Sequence, residues 1–175
     1  MSEAGAQISD ASIADVDEIC ALSRKTYADA FGADFTPDDL AYYLDHTLTA
    51  ERWRDHLSRD RVLLARIAGK AVGYLQFGPM SGENGIEIRR VYVDAAFQGQ
   101  GIGSGLLSAA LAASEVEAAA QVIIDVWEAN NGAKRLYERF GFADEGARKP
   151  FVFKGKVEGY DKILVRRPTS SSARG

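Results

Sequence analysis

Val91-Tyr92-Val93-Asp94, followed by Gln98-Gly99-Gln100-Gly101-Ile102-Gly103-Ser104, is the stretch on which the reading of this chain turns. Its β-branched and aromatic opening predicts the end of a strand, Ile86 to Val93. The glycine-rich part predicts a loop, and Leu107, Ala110, Leu111 and Ser114 keep helical spacing after it, to about Ala119. Glycines between a strand and a helix let backbone amides approach a ligand closely. The helix N-terminus adds partial positive charge, so a phosphate or pyrophosphate is the natural guest. A plain turn before a helix is the alternative. Two better-known phosphate patterns fail on spacing. A G-x-G-x-x-G fingerprint started at Gly99 ends on Ser104, and started at Gly101 it ends on Leu106. No P-loop is present: Gly69-Lys70 runs into Ala71 and Gly155-Lys156 into Val157.

Working outward, Gln121 to Trp127 reads as a strongly apolar strand. Asn130 to Phe140 reads as a helix with Ala133, Leu136, Tyr137 and Phe140 on one face, and Gly141 sits where a left-handed stop residue belongs. Strands around Ala143–Phe153 and Gly159–Arg166 close the domain. Upstream, Val62 to Ala68 and Ala71 to Phe77 read as strands joined by a Gly69-Lys70 turn, with a loop from Pro79 to Gly85. A first strand is expected at Gln7 to Ala11. A helix follows from Asp15, capped by Asp15 with Glu18 three residues on. It carries Val16, Ile19, Cys20, Ser23, Tyr27, Ala30 and Phe31 on one face, and Gly32 is its stop. Thr36-Pro37-Asp38-Asp39 and Thr49 start two more helices, Leu48 and Trp53 forming a hydrophobic staple across the second.

The chain has 175 residues, of which 46% are hydrophobic and 26% charged, and a net charge of −4. One domain, residues 1–167, is expected, with a Ser-rich disordered tail over 168–175. A single cysteine excludes an internal disulfide, and two histidines argue against a multi-His metal site; no metal is expected. The mild negative charge argues against a nucleic-acid partner. Without a membrane-length apolar run or a secretory h-region, no membrane partner and a cytoplasmic location are expected.

The 91–103 stretch resembles the acetyl-CoA loop of the GNAT superfamily of N-acetyltransferases. Asn130-x-x-Ala133-x-x-Leu136-Tyr137-x-x-x-Gly141-Phe142 resembles the family's other core motif. Two motifs in the right order are far more specific than either alone. The resemblance covers about Ile8 to Arg166. It implies an α/β (α+β) GNAT fold: a central mixed, mostly antiparallel sheet of about seven strands flanked by helices, splayed between the fourth and fifth strands. A finer resemblance is to PaiA-type spermidine/spermine N-acetyltransferases, carried by Thr26-Tyr27-x-x-x-Phe31-Gly32, Tyr43-Leu44, Val126-Trp127-Glu128-x-Asn130, the Phe151 region and Asp161.

The resemblance implies direct acetyl transfer from acetyl-CoA, the co-substrate, to a primary amine of a small cationic acceptor such as a polyamine. A protein N-terminus as acceptor, or a non-catalytic acyl-CoA sensor, are the other readings. Val91, Tyr92 and Val93 then take the positions whose backbone holds pantetheine and thioester. Gln98, Gly99, Gln100, Gly101, Ile102, Gly103 and Ser104 cradle the pyrophosphate, and Asn130 contacts the cofactor or caps its helix. Tyr137 matches the general acid; its spacing also suits a core tyrosine. Glu87 matches a common base position, and Glu128 is the runner-up; either also suits a solvated charge or a partner of Arg89 or Arg90. Lys134 and Arg135 read as solvated helix charges or outer-phosphate contacts. Cys20 reads as a buried structural thiol. A homodimer is compatible with the chain.

Overall fold

A computed structural model describes residues 5–168, and the expected tail lies outside these from residue 169 onward. Seven strands form one sheet in the order β1-β2-β3-β4-β5-β7-β6. They are β1 Gln7–Asp10, β2 Arg61–Ile67, β3 Lys70–Pro79, β4 Ile86–Val93, β5 Val122–Trp127, β6 Ala143–Phe153 and β7 Lys156–Arg166. The helices are α1 Val16–Phe31, α2 Pro37–Thr47, α3 Ala50–Arg59, α4 Ile102–Leu111, α5 Ser114–Glu117 and α6 Asn131–Arg139. The β1–β2, β2–β3, β5–β7 and β6–β7 ladders are antiparallel; β4–β5 is parallel. A parallel pair needs a long crossover, which α4 and α5 supply. The β4–β5 register runs only from Ile86↔Val122 to Ile88↔Ile124, although β4 continues to Val93 and β5 to Trp127. That early end is the expected splay of the fourth and fifth strands.

The chain divides into two compact units, residues 1–78 with 90–110, and residues 79–89 with 111–175. In the first, Val16, Ile19, Leu22, Trp53, Val62, Leu64, Ala71 and Tyr74 form one buried cluster, with Cys20 and Tyr92 packed against it. The Trp53 indole is fully buried and donates Nε1 to Ser23 Oγ at 2.9 Å. This satisfies the one polar group that burying a tryptophan would otherwise strand. Leu48 and Trp53, the expected staple, are both buried. Thr36 and Thr49 accept from the amides of Asp39 and Arg52, as capping residues do.

Four local expectations are corrected. The β2–β3 turn is Ala68-Gly69, both at positive φ (48° and 80°), and Lys70 already pairs with Ile67 in the ladder. Two consecutive left-handed residues make the type I′ geometry that matches strand twist; the β6–β7 turn at Lys154-Gly155 repeats it. Asp15 does not cap α1. Ser12 caps a preceding 3-10 turn and Asp15 reaches back to the Ser12 amide, completing a capping box. Glu18 accepts instead from the Ala71 amide at 2.8 Å, beside a register shift at Ala65/Arg66. The helix after the glycine loop breaks at Leu111, and α5 is a separate turn. Gly32 is not a left-handed stop: its φ of −57° carries the chain into a 3-10 turn, and Ala30 is exposed.

Candidate active site

In the first unit, the end of β4 and the loop after it are held at two points. Buried Asp94 donates its amide to Val72 O at 2.8 Å, and its carboxylate accepts from the Ala96 amide and from Lys25. The Ala96 hydrogen bond, then Lys25, holds that carboxyl below the usual carboxylate range. Gln98 spends its side chain on Val93 O, at 3.1 Å. Between these clamps and α4, the segment 98–101 is exposed.

Gly99 and Gly101 both have left-handed φ, 78° and 77°, which only glycine adopts without strain. A Cβ at either would meet nothing within 4 Å, so open space lies against the backbone. The amides of Gly99, Gln100 and Gly101 have no backbone acceptor among the described residues. Gly101 O accepts from the Gly105 amide, which makes Gly101 the cap of α4. Ile102, Gly103 and Ser104 are then the first helical residues, whose N–H groups have no partner one turn back. No lysine or arginine lies in the loop. The donor set is therefore backbone amides at a helix N-terminus, and it fits a pyrophosphate.

Upstream in the same unit, Tyr92 turns its ring toward the core and stacks on Tyr74 at 5.7 Å. A Cβ on Gly73 would come within 3.1–3.3 Å of Tyr92 O, Ile102 Cγ2 and Val93 Cγ2. That glycine lets β3 lie tightly under the start of α4. Cys20 Sγ donates to Leu48 O at 3.4 Å, and burial pushes its thiol up. A protonated, half-buried thiol is no nucleophile. Tyr27, Phe31, Phe35 and Tyr43 form an aromatic group, with Tyr27 stacked on Tyr43 at 4.3 Å.

In the second unit, α6 carries the other motif. Asn130 Oδ1 accepts from the Ala133 amide at 3.0 Å, the cap its position predicts. At the far end Gly141 has φ 87° and donates to Glu138 O, while Phe142 donates to Tyr137 O. These two bonds are a Schellman stop, and the Phe142 ring meets the Tyr137 ring edge-on at 6.2 Å, the apolar contact such stops favour. Gly141-Phe142 thus fixes Tyr137 from both backbone and ring. Tyr137 is 6% exposed, and its hydroxyl makes no hydrogen bond among the described residues. Burial pushes the phenol above its ordinary value, so it stays protonated at neutral pH. Lys134 lies near Glu138 and Asp144, as a solvated helix charge would.

Glu87 on β4 is ion-paired with Arg89, whose guanidinium also donates to Pro79 O. Glu128 is exposed at the end of β5. Sequence reading missed two further residues here. Asp125 has one carboxylate oxygen on Lys149 Nζ at 2.8 Å and the other buried without a hydrogen bond. Asp125 belongs to the face of β5 that carries Ile123 and Trp127, opposite the buried Val122, Ile124 and Val126. An aspartate inside so apolar a strand was the available signal. Asp161, opposite Trp127 in the β5–β7 register, and Lys149, opposite Asp161 in β6–β7, share this face. The Trp127 ring meets Phe151 edge-on at 6.2 Å and lies over Gly159, where a Cβ would run into it.

The family model described as Acetyltransferase (GNAT) family matches residues 24–142, and the chain belongs to that family. It is accordingly an acyltransferase. It is 30% identical over 145 residues to an uncharacterized N-acetyltransferase of Lactobacillus delbrueckii subsp. lactis, covering 78% of this chain and 84% of that one. An uncharacterized N-acetyltransferase of Mycobacterium tuberculosis is 28% identical over 155 residues, 87% of this chain and 97% of its own. Among solved structures, the PaiA N-acetyltransferase of Thermoplasma acidophilum in complex with coenzyme A superposes with TM-score 0.78 at 15% identity, covering 94% of this chain and all of that one. The yncA protein of Salmonella typhimurium with its cofactor acetyl-CoA gives 0.71 at 22% identity, covering 98% and 99%. At such identities the structures speak for the fold. No helix among the described residues is long and apolar enough to cross a membrane.

Proposed function

We propose that this GNAT acetyltransferase moves the acetyl group of acetyl-CoA directly to a primary amine of a small cationic acceptor, of the polyamine type. The observation that carries the acetyl-CoA part is the open backbone of Gly99 and Gly101 ahead of α4, inside the stretch the family model matches. When bound, acetyl-CoA supplies an activated acyl thioester. Amides from Gly99 to Ser104 bind its pyrophosphate, and the Val91–Val93 backbone orients the pantetheine arm. A backbone amide aimed at the carbonyl oxygen would serve as an oxyanion donor. Asn130 caps α6 and so fixes the start of the helix that bears Tyr137.

Tyr137 donates its proton to the leaving sulfur. A thiol titrates near 8.5 and a tyrosine near 10, and burial moves this one further up. The hydroxyl therefore still holds its proton as the sulfur leaves. On the family pattern, Glu87 stands at a common position for the base that receives the acceptor's proton, with Glu128 as the alternative. Cys20, protonated and hydrogen-bonded, supports transfer without an acyl-enzyme.

The cationic acceptor is supported by the PaiA-type sequence pieces. Product formation and CoA release are measured with acetyl-CoA and a panel of spermidine, spermine, a peptide N-terminus and an aminoglycoside. Polyamine turnover well above the rest is expected. Efficient acetylation of the peptide with background polyamine turnover would refute the acceptor class, and turnover of none would leave an acyl-CoA sensor.

A further inference from the structure

A carboxylate that takes a proton from an ammonium needs a free lone pair, access for the substrate and an environment that makes it a stronger base than a solvated acid. In the second unit, Glu87 has one carboxylate oxygen on Arg89, and Asp125 has one oxygen on Lys149 and the other buried where no substrate reaches it. Glu128 is exposed, with bulk water around it. Asp161 differs from all three. It makes no hydrogen bond or ion pair with any described residue and is only half-buried. Its register partner is Trp127, in the part of β5 that continues past the end of the β4–β5 ladder, and the Trp127 ring meets that of Phe151 edge-on at 6.2 Å.

We propose that Asp161 is the residue that accepts the proton of the acceptor ammonium, and that the Asp125–Lys149 pair beside it sets its strength as a base. The inference rests on the amine acetyltransferase reading above. One N–H bond of R–NH3⁺ breaks, its proton passes to an Asp161 carboxylate oxygen, and the electron pair stays on nitrogen. That pair then forms the C–N bond to the acetyl carbon as the C–S bond breaks. Tyr137 protonates the sulfur, and the second proton the nitrogen sheds replaces the one Tyr137 gave. Asp161 returns its proton to water, so one proton leaves per turnover.

The charges around Asp161 act in opposite directions. Burial, then Asp125, raises its pKa above the ordinary aspartate value; Lys149 on β6 lowers it and Glu128 at the end of β5 raises it. Glu87 acts on Lys149, which Asp125 chiefly holds as a cation. Lys162, on the same strand as Asp161, lies 3.9 Å from Asp144 instead.

The test is the pH dependence of kcat/KM with the amine that the wild type acetylates best. Wild type should show a plateau between the Asp161 pKa and that of the amine. In Asp161→Asn, only amine already neutral in solution can react. The plateau should become a tenfold rise per pH unit, about 10²–10³-fold below wild type at pH 7 and converging with it at high pH. An acceptor of low pKa, such as a hydrazine, should be acetylated by this variant at close to the wild-type rate.

Lys149→Met should move the acidic limb of the profile to higher pH and Asp125→Asn to lower pH, a pair of opposite shifts that a structural role would not produce. Thermal unfolding and acetyl-CoA affinity show whether each variant is folded. An Asp161→Asn profile parallel to wild type, or equal losses with both acceptors, would overturn the assignment. So would disappearance of the acidic limb in Glu87→Gln while Asp161→Asn keeps it. These failures leave the acceptor reading standing, whereas a wild type that acetylates no amine overturns both.

Discussion

The glycine loop before α4 and the C-terminal end of α6 meet the same demand, a fixed group presented to a ligand, in opposite ways. The loop is clamped at Asp94 and Gln98 and left open between, and what it presents is backbone. Its left-handed glycines matter because they have no side chain. The end of α6 is closed: a Schellman stop and the Phe142 ring fix one residue, Tyr137, whose hydroxyl is the proposed proton donor. In the first region the proposed function asks only that the backbone stay bare. In the second the backbone is a frame, and in the proposed mechanism a single oxygen atom carries the chemistry.

The largest effect should come from removing that atom. Tyr137→Phe keeps the ring contact with Phe142 and both backbone bonds, so fold and acetyl-CoA affinity should hold while kcat falls about 10²–10⁴-fold. Stopped-flow or steady-state rates beside calorimetric affinity separate the two; near-normal turnover would make Tyr137 a core residue only. Gly101→Glu inverts the pattern. It puts a side chain and a negative charge where open space and bare amides stand, at a φ of 77°. Calorimetry should find acetyl-CoA binding lost, beside a lower unfolding midpoint from the about 1–2 kcal/mol that a β-carbon costs at this left-handed φ. Unchanged affinity would show that the loop does not hold the pyrophosphate.

Two smaller changes probe the frame. Gly141→Ala forces a β-carbon into a left-handed stop and should cost about 1–2 kcal/mol, read as a lower midpoint in denaturant. Because the Phe142–Tyr137 bond depends on that stop, kcat should fall more than acetyl-CoA affinity does. Asn130→Ala removes the cap of the same helix and should cost about 1 kcal/mol, with kcat less affected than in Gly141→Ala. Equal effects of the two on kcat would mean that general helix stability, rather than the stop, positions Tyr137.

The loop was legible in the sequence because glycine spacing reports backbone geometry directly. Gly141 was legible for the same reason, and its left-handed φ is where the pattern put it. The early end of the β4–β5 ladder followed from the family resemblance, since no local signal encodes a splay. What misled was competition between equivalent neighbours. Ala68-Gly69 and Gly69-Lys70 are equally plausible turn pairs until the register fixes one, and Ser12 lies close enough to Asp15 to take over the cap. The Lys149–Asp125 contact was not legible at all, because its partners are 24 residues apart and meet only through the β5–β7–β6 strand order. Glu87 was visible on its strand, but its pairing with Arg89 could be named only as one option.

Cys20 has a practical consequence. It is the chain's only cysteine, its sulfur is engaged by Leu48 O, and its proton is held more tightly than usual. Electrophiles that report thiols react through the thiolate, so near neutral pH the protein should colour such reagents slowly. A continuous chromogenic readout of released CoA should then run against a low blank, and the slow residual reaction, one equivalent per chain, should accelerate on denaturation. Unfolding can thus be timed in the same cuvette as catalysis, without adding a label.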